Sequence, residues 1–107
     1  MMTREQQIAR IFKAFCDENR ITILQKLQGG EMCGCKLLEE LNISQSTLSH
    51  HMRVLADAEV INCRRDGKWT HYSISEEGGQ QAMALLKEVL AVKTADAEDS
   101  KGCCCGS

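Results

Sequence analysis

A mainly helical domain carrying one β-hairpin is the fold class the sequence predicts, and three observations predict it. Proline is absent, and Leu, Ile, Ala, Gln, Glu and Lys predominate, which favours helix. Apolar residues recur at three- and four-residue spacing through several successive stretches. A single Asp66-Gly67 step separates two β-prone runs, a strong short-range hairpin signal. The chain has 107 residues, 43% of them apolar, which suits one domain with a small core.

Taken in order, Thr3-Arg4-Glu5-Gln6 fits a capping box, followed by Ile8, Ile11, Phe12 and Phe15 at helical spacing. Asp17 can cap a second helix whose inward residues are expected to be Ile21, Leu24 and Leu27, with Gly29-Gly30 ending it. A third helix is expected from about Cys33 to Leu41, with Leu37, Leu38 and Leu41 inward. Asn42-Ile43-Ser44 reads as a tight turn, and Ser44 as the cap of a fourth helix. Two stripes separate on that helix. Leu48, His51, Met52 and Leu55 form one, and Ser46, Ser49, His50 and Arg53 form the other. An apolar stripe opposite hydrogen-bonding side chains is what a groove-reading helix needs.

Two short helices joined by such a turn make a helix-turn-helix. The hairpin from Val60 to Ile74 then occupies the place of a wing, so the predicted architecture is a winged helix-turn-helix. Arg64, Arg65 and Lys68 stand near its tip and suit phosphate contacts, while Trp69 and Tyr72 are expected to pack the wing against the body. Gln45, Ser46, Thr47, Ser49, His50 and Arg53 are the candidate DNA contacts of the fourth helix. A last helix should begin near Glu76 and carry Ala82, Leu85, Leu86, Val89 and Leu90. These apolar residues, with those of the first helix, exceed what one small core needs, so a homodimer joined through both helices is expected. The domain organisation is then a DNA-binding and dimerisation domain over residues 1–93 and a flexible, acidic, Cys-rich tail over 94–107.

Net charge is −2, so the molecule as a whole is no polycation. Between Ser44 and Tyr72, however, four basic residues face three acidic ones, and three histidines join them. No stretch resembles a transmembrane span or a secretory signal, which points to the cytoplasm and to no membrane partner. Seven cysteines is an odd count, and their spacings do not suit a disulfide framework. In a reducing compartment such thiols more often bind metal or sense redox state.

Cys33-Gly34-Cys35 lies a few residues ahead of the candidate recognition helix. Thiolates are soft ligands, suited to thiophilic ions. In a regular helix residues two apart do not face each other, so a shared ion would require a locally unwound helix start, which Gly34 would make cheap. The bland alternative is that both cysteines pack as small hydrophobes. A third ligand is left open among Cys16, Cys63 and the tail residues Cys103, Cys104 and Cys105. His51 fits a core or turn-contacting role better than ligation. Asp17, Glu18 and Arg20 read as capping and ion-pair residues. No Ser-His-Asp order, phosphate loop or carboxylate pair stands out, so no enzyme or catalytic cofactor is expected.

With these elements in this order, the chain resembles the ArsR/SmtB family of metal-responsive repressors over roughly Ile8 to Leu90. The resemblance is carried by Asp17-Glu18-Asn19-Arg20, by Ser49-His50-His51-Met52-Arg53-Val54-Leu55, by the wing from Val60 to Tyr72, and by Cys33-Gly34-Cys35. It implies a dimer on double-stranded operator DNA, released when As(III) or Sb(III) binds Cys33 and Cys35, with Cd(II) or Pb(II) as further inducers. The sequence departs from the arsenite pattern in one respect. Some members have a third cysteine just after the pair, where Leu37 and Leu38 stand here. The last helix also lacks the His and Asp/Glu pairs of the family's zinc site. Two other readings are a repressor sensing thiol oxidation or persulfidation, and, in a different class, a Cys-rich metallochaperone or thiol buffer.

Overall fold

A computed structural model describes residues 2–92. The elements run α1 (Arg4–Lys13), α2 (Glu18–Leu27), β1 (Met32–Cys33), α3 (Gly34–Leu41), α4 (Gln45–Asp57), β2 (Ile61–Asp66), β3 (Trp69–Ile74) and α5 (Glu76–Val89). Each helix starts on a side-chain cap. The Thr3/Gln6 capping box opens α1, Asp17 accepts from the Asn19 amide, Ser44 from Thr47, and Ser75 from Gly78.

The core is built mainly by α2, α3 and α4, with Ile23, Leu37 and Leu55 fully buried at its centre. On α4 the two stripes separate as expected: Leu48, His51, Met52 and Leu55 are buried, while Ser46, Ser49, His50 and Arg53 are exposed. On α2 the inward residue is Ile23 rather than Ile21, which is exposed. The reason is Arg20, which is buried and takes the inward position that an apolar count assigns elsewhere. Phe15 likewise falls outside α1. The helix stops at Lys13, and Ala14 rather than Phe15 is fully buried.

The sheet is three-stranded and antiparallel, in the order β1-β3-β2. Its hairpin turns one residue later than Asp66-Gly67 suggests. Asp66 pairs with Trp69, so Gly67 and Lys68 form the loop, and Gly67 has φ +69, a conformation glycine accepts without cost. No signal in the sequence marks β1. It is two residues long, and Met32 pairs with Tyr72 and Cys33 with His71. Between α4 and β2, Glu59 adopts φ +64 and its carbonyl lies against Gly78 of α5. A Cβ on Gly78 would collide with that oxygen, so only glycine allows α5 to close onto the end of α4.

Candidate nucleic-acid interface and thiol site

The α3–turn–α4 unit is set by Asn42 and Ser44. Asn42 takes the left-handed conformation (φ 56, ψ 45) that ends α3, and Ser44 caps α4 two residues later. Ser44 Oγ accepts from the Thr47 amide at 3.1 Å and donates to Thr47 Oγ1 at 2.8 Å. Thr47 is therefore held by the cap. Gln45, Ser46, Ser49, His50 and Arg53 are exposed along the same side of the helix. A recess of about 380 Å³ opens between the start of α4 and the wing, lined by Gln45, Ser49, Arg65, Lys68 and Trp69 among others.

The wing's cations are not equivalent. Arg65 and Lys68 are exposed and, among the described residues, join no ion pair, as is also true of Arg53. Arg64 instead makes a two-pronged contact with Glu31, Nε to Oε2 at 3.0 Å and Nη2 to Oε1 at 2.8 Å. The guanidinium holds the Glu31 carboxyl below its usual range, and the carboxylate raises Arg64 in return. Asp66 lies 3.9 Å from both Arg64 and His71. Arg64, expected from its place near the wing tip to suit a phosphate, is thus engaged by Glu31. Only the pairing of β1 with β3 brings Glu31 to it. Trp69, expected against the body, is exposed beside the recess, whereas Tyr72 does pack on the core.

Cys33 and Cys35 straddle a junction rather than lying within one helix. Cys33 belongs to β1, is extended (φ −73, ψ 143), and serves as the N-cap of α3, its sulfur accepting from the Cys35 amide at 3.3 Å. No unwinding is needed to bring the thiols together: the sulfurs are 2.7 Å apart. Gly34 matters for closeness, not for distortion. A Cβ there would stand 3.3 Å from Tyr72 Cε2 and 3.5 Å from the Thr70 carbonyl. The hydrogen bond from Cys35 makes Cys33 ionise more easily than an ordinary thiol, and Cys35 is raised by the same contact. Two adjacent soft donors, one readily ionised, fit two positions of a thiophilic ion. Among the described residues no third His, Cys, Asp or Glu joins them, which leaves Cys16 and Cys63 apart from the pair. Burial raises the Cys63 thiol. Cys103, Cys104 and Cys105 lie outside the described residues.

Arg20 ties the α4 helix to the rest. Its Nε donates to the Ala14 carbonyl at 3.1 Å, Nη2 to the Lys13 carbonyl at 3.3 Å, and Nη1 to His51 Nδ1 at 3.0 Å. A guanidinium can only donate, so His51 accepts at Nδ1 and its proton sits on Nε2. The positive group rests at the carbonyl end of α1, where the helix dipole favours it. Among the described residues Arg20 thus joins no carboxylate, contrary to the ion-pair role expected of it. Burial lowers the His51 pKa, opposed by the charge of Asp17.

A helix with an exposed polar stripe, set by a tight turn and flanked by a basic hairpin, is the apparatus of a winged helix-turn-helix transcriptional regulator. Residues 17–62 match the family described as bacterial regulatory protein, arsR family. An uncharacterized HTH-type transcriptional regulator of Methanocaldococcus jannaschii is 37% identical over 89 residues, 82% of this chain and 100% of that one. The arsenical resistance operon repressor of Staphylococcus aureus is 36% identical over 85 residues, 79% of this chain and 75% of the relative. A homodimeric winged helix-turn-helix DNA-binding domain from Mycobacterium bovis, a possible ArsR-family regulator, superimposes with a TM-score of 0.65 at 26% identity, covering 83% of this chain and 86% of that one. The chain belongs to the arsR family of bacterial regulatory proteins. Its fold and family are those of transcriptional regulators, not of enzymes. Among the described residues no helix is long and apolar enough to cross a membrane.

Proposed function

We propose that this chain is a homodimeric repressor that holds a two-fold operator when free and leaves it when a thiophilic ion binds Cys33 and Cys35. As(III) or Sb(III) is the inducer assigned, with Cd(II) and Pb(II) as weaker candidates. The observation that carries the reading is the contact of two thiols at the entrance to α3, the first helix of the DNA-reading unit. The arsenical resistance repressors among the relatives support the choice of ion.

The dimer reading rests on an apolar face left open among the described residues. Met83, Leu86, Val89 and Leu90 of α5 are exposed, and Phe12, Phe15 and Leu24 line a groove beside Met83 and Leu86. Arg4 of α1 and Glu88 of α5 are joined at 2.6 Å, so both helices present this face together. A copy related by a two-fold axis covers it and sets the two α4 helices about one DNA turn apart. Ser46, Ser49 and His50 then meet base edges, and Arg53, Arg65 and Lys68 meet phosphates.

The test is a gel shift on DNA from upstream of the chain's own gene, under reducing conditions, with and without arsenite. Binding lost on adding arsenite supports the reading. Binding lost only with an oxidant assigns the thiols to redox sensing instead, and no shift in any condition points to a thiol buffer.

A further inference from the structure

The thiol pair is built into the wing as much as into the helix-turn-helix, and this sets the route of its signal. Cys33 is in β1, and β1 is the third strand of the wing's own sheet, paired to the central strand β3 through Met32–Tyr72 and Cys33–His71. Just ahead of β1, Glu31 reaches across β3 to grip Arg64 on β2. Gly34 rests against the Tyr72 ring. Cys35 belongs to α3. The two sulfurs therefore sit on opposite sides of a joint between the wing and the reading helices.

An ion bound by both thiolates ties β1 to α3 across that joint. Cys33 Sγ otherwise holds the Cys35 amide. An ion that takes this sulfur breaks the cap and re-aims Cys33 at the end of β1. β1 is the softer side, being two residues long, and whatever moves β1 pulls on β3 through the ladder and on β2 through Glu31 and Arg64.

We propose that ligand binding at Cys33 and Cys35 is transmitted to DNA through the wing, and that the Glu31–Arg64 pair is the latch that carries it to β2. Arg64 is then a positioning residue rather than a phosphate contact. This rests on the reading that an ion at these thiols releases DNA. It differs from a signal confined to α3 and α4, which would leave the wing where it is.

The experiment compares the full chain with Glu31→Gln, Arg64→Gln and the double variant. Both side chains are largely exposed, at 38% and 56%, so these changes leave the core intact. Duplex affinity is measured by fluorescence anisotropy with and without arsenite, and arsenite uptake by counting free thiols. The ratio of the two affinities is the coupling. For Glu31→Gln and Arg64→Gln alike, arsenite uptake should match the unmodified chain and the coupling ratio should fall by roughly two- to fivefold, the range an exposed ion pair supports. The double variant should fall no further than either single one. Glu31→Asp should restore part of the ratio, and Arg64→Gln should leave the salt dependence of binding unchanged. An unaltered coupling ratio in both single variants, with arsenite still bound, overturns the latch. A shallower salt dependence in Arg64→Gln returns Arg64 to the phosphates and overturns it too. If the unmodified chain itself keeps its DNA with arsenite bound, the proposed function fails instead, and the two failures are told apart.

Discussion

Replacing Arg65 with alanine should change how DNA binding responds to salt more than it changes anything else. Arg53, Arg65 and Lys68 are the basic residues of α4 and the wing that, among the described residues, join no ion pair. If each neutralises one phosphate, a dimer neutralises about six, and log K should fall with log salt at a slope of about −5. Arg65→Ala removes one contact per protomer, so the slope should flatten by about 1.8. Between 50 and 200 mM salt the unmodified dimer should lose about three decades of affinity and the variant about two. The gap is therefore largest at low salt and narrows as salt rises. Anisotropy titrations of a labelled duplex at several salt concentrations measure both slopes. Specific and unrelated duplexes should respond alike, because phosphates carry no sequence. Ser49→Ala provides the contrast: it should alter base preference and leave the slope alone. A slope unchanged in Arg65→Ala would refute the placement of the wing on the DNA backbone.

Cys33→Ser and Cys35→Ser should each bind DNA as the unmodified chain does and no longer release it with arsenite; release that survives in the double variant would move the sensor to other thiols. Gly78→Ala should lower stability by about 1–3 kcal/mol, since overpacking forces backbone to shift, and here the obstacle is the Glu59 carbonyl. Urea melts of Gly78→Ala against the unmodified chain measure the loss. His51 should make stability pH-dependent. Burial lowers its folded pKa beneath the unfolded value of about 6.5, so the unfolded chain binds the extra proton first; stability is full above that value and is lost as pH falls through it toward the folded pKa. Thermal melts from pH 7.5 down to pH 5 should show the loss, and it should shrink in His51→Gln.

Local chemistry made much of this fold legible. Caps, the two stripes of α4 and a two-residue loop are written in neighbouring residues, and Thr3, Asp17, Ser44 and Gly67 each announce their role within four positions. What escaped was long-range or hidden by residue class. β1 is too short for any periodicity, and its existence depends on Tyr72 and His71, far along the chain. Glu31 gave no signal alone, because its partner is 33 positions away. Arg20 turned inward against expectation because three acceptors wait there: the two carbonyls at the end of α1 and His51. Counting it as polar and therefore outward displaced Ile23 by Ile21. The motif Asp17-Glu18-Asn19-Arg20 held the clue, since it placed an arginine at the start of a helix where an exposed acid is commoner.

The junction also accounts for why a thiol, rather than a hydroxyl, caps α3. Ser, Thr, Asp and Asn are the strong N-caps, and the other helices with a side-chain cap use them. Sulfur is a weaker hydrogen-bond acceptor than oxygen, so less is lost when Cys33 Sγ leaves the Cys35 amide. An ion that takes this sulfur breaks only a weak cap, and the binding energy is left to act on the joint between β1 and α3. Cys33→Ser then separates the two duties of the residue. The hydroxyl keeps or strengthens the cap, so α3 and the turn into α4 hold their places and DNA is still read. The soft donor is gone, so nothing draws the ion to Cys35 with a partner. A variant that binds DNA well and ignores arsenite is the outcome this division of labour requires. A variant that loses DNA binding would mean that the sulfur, not the cap, positions the reading helices.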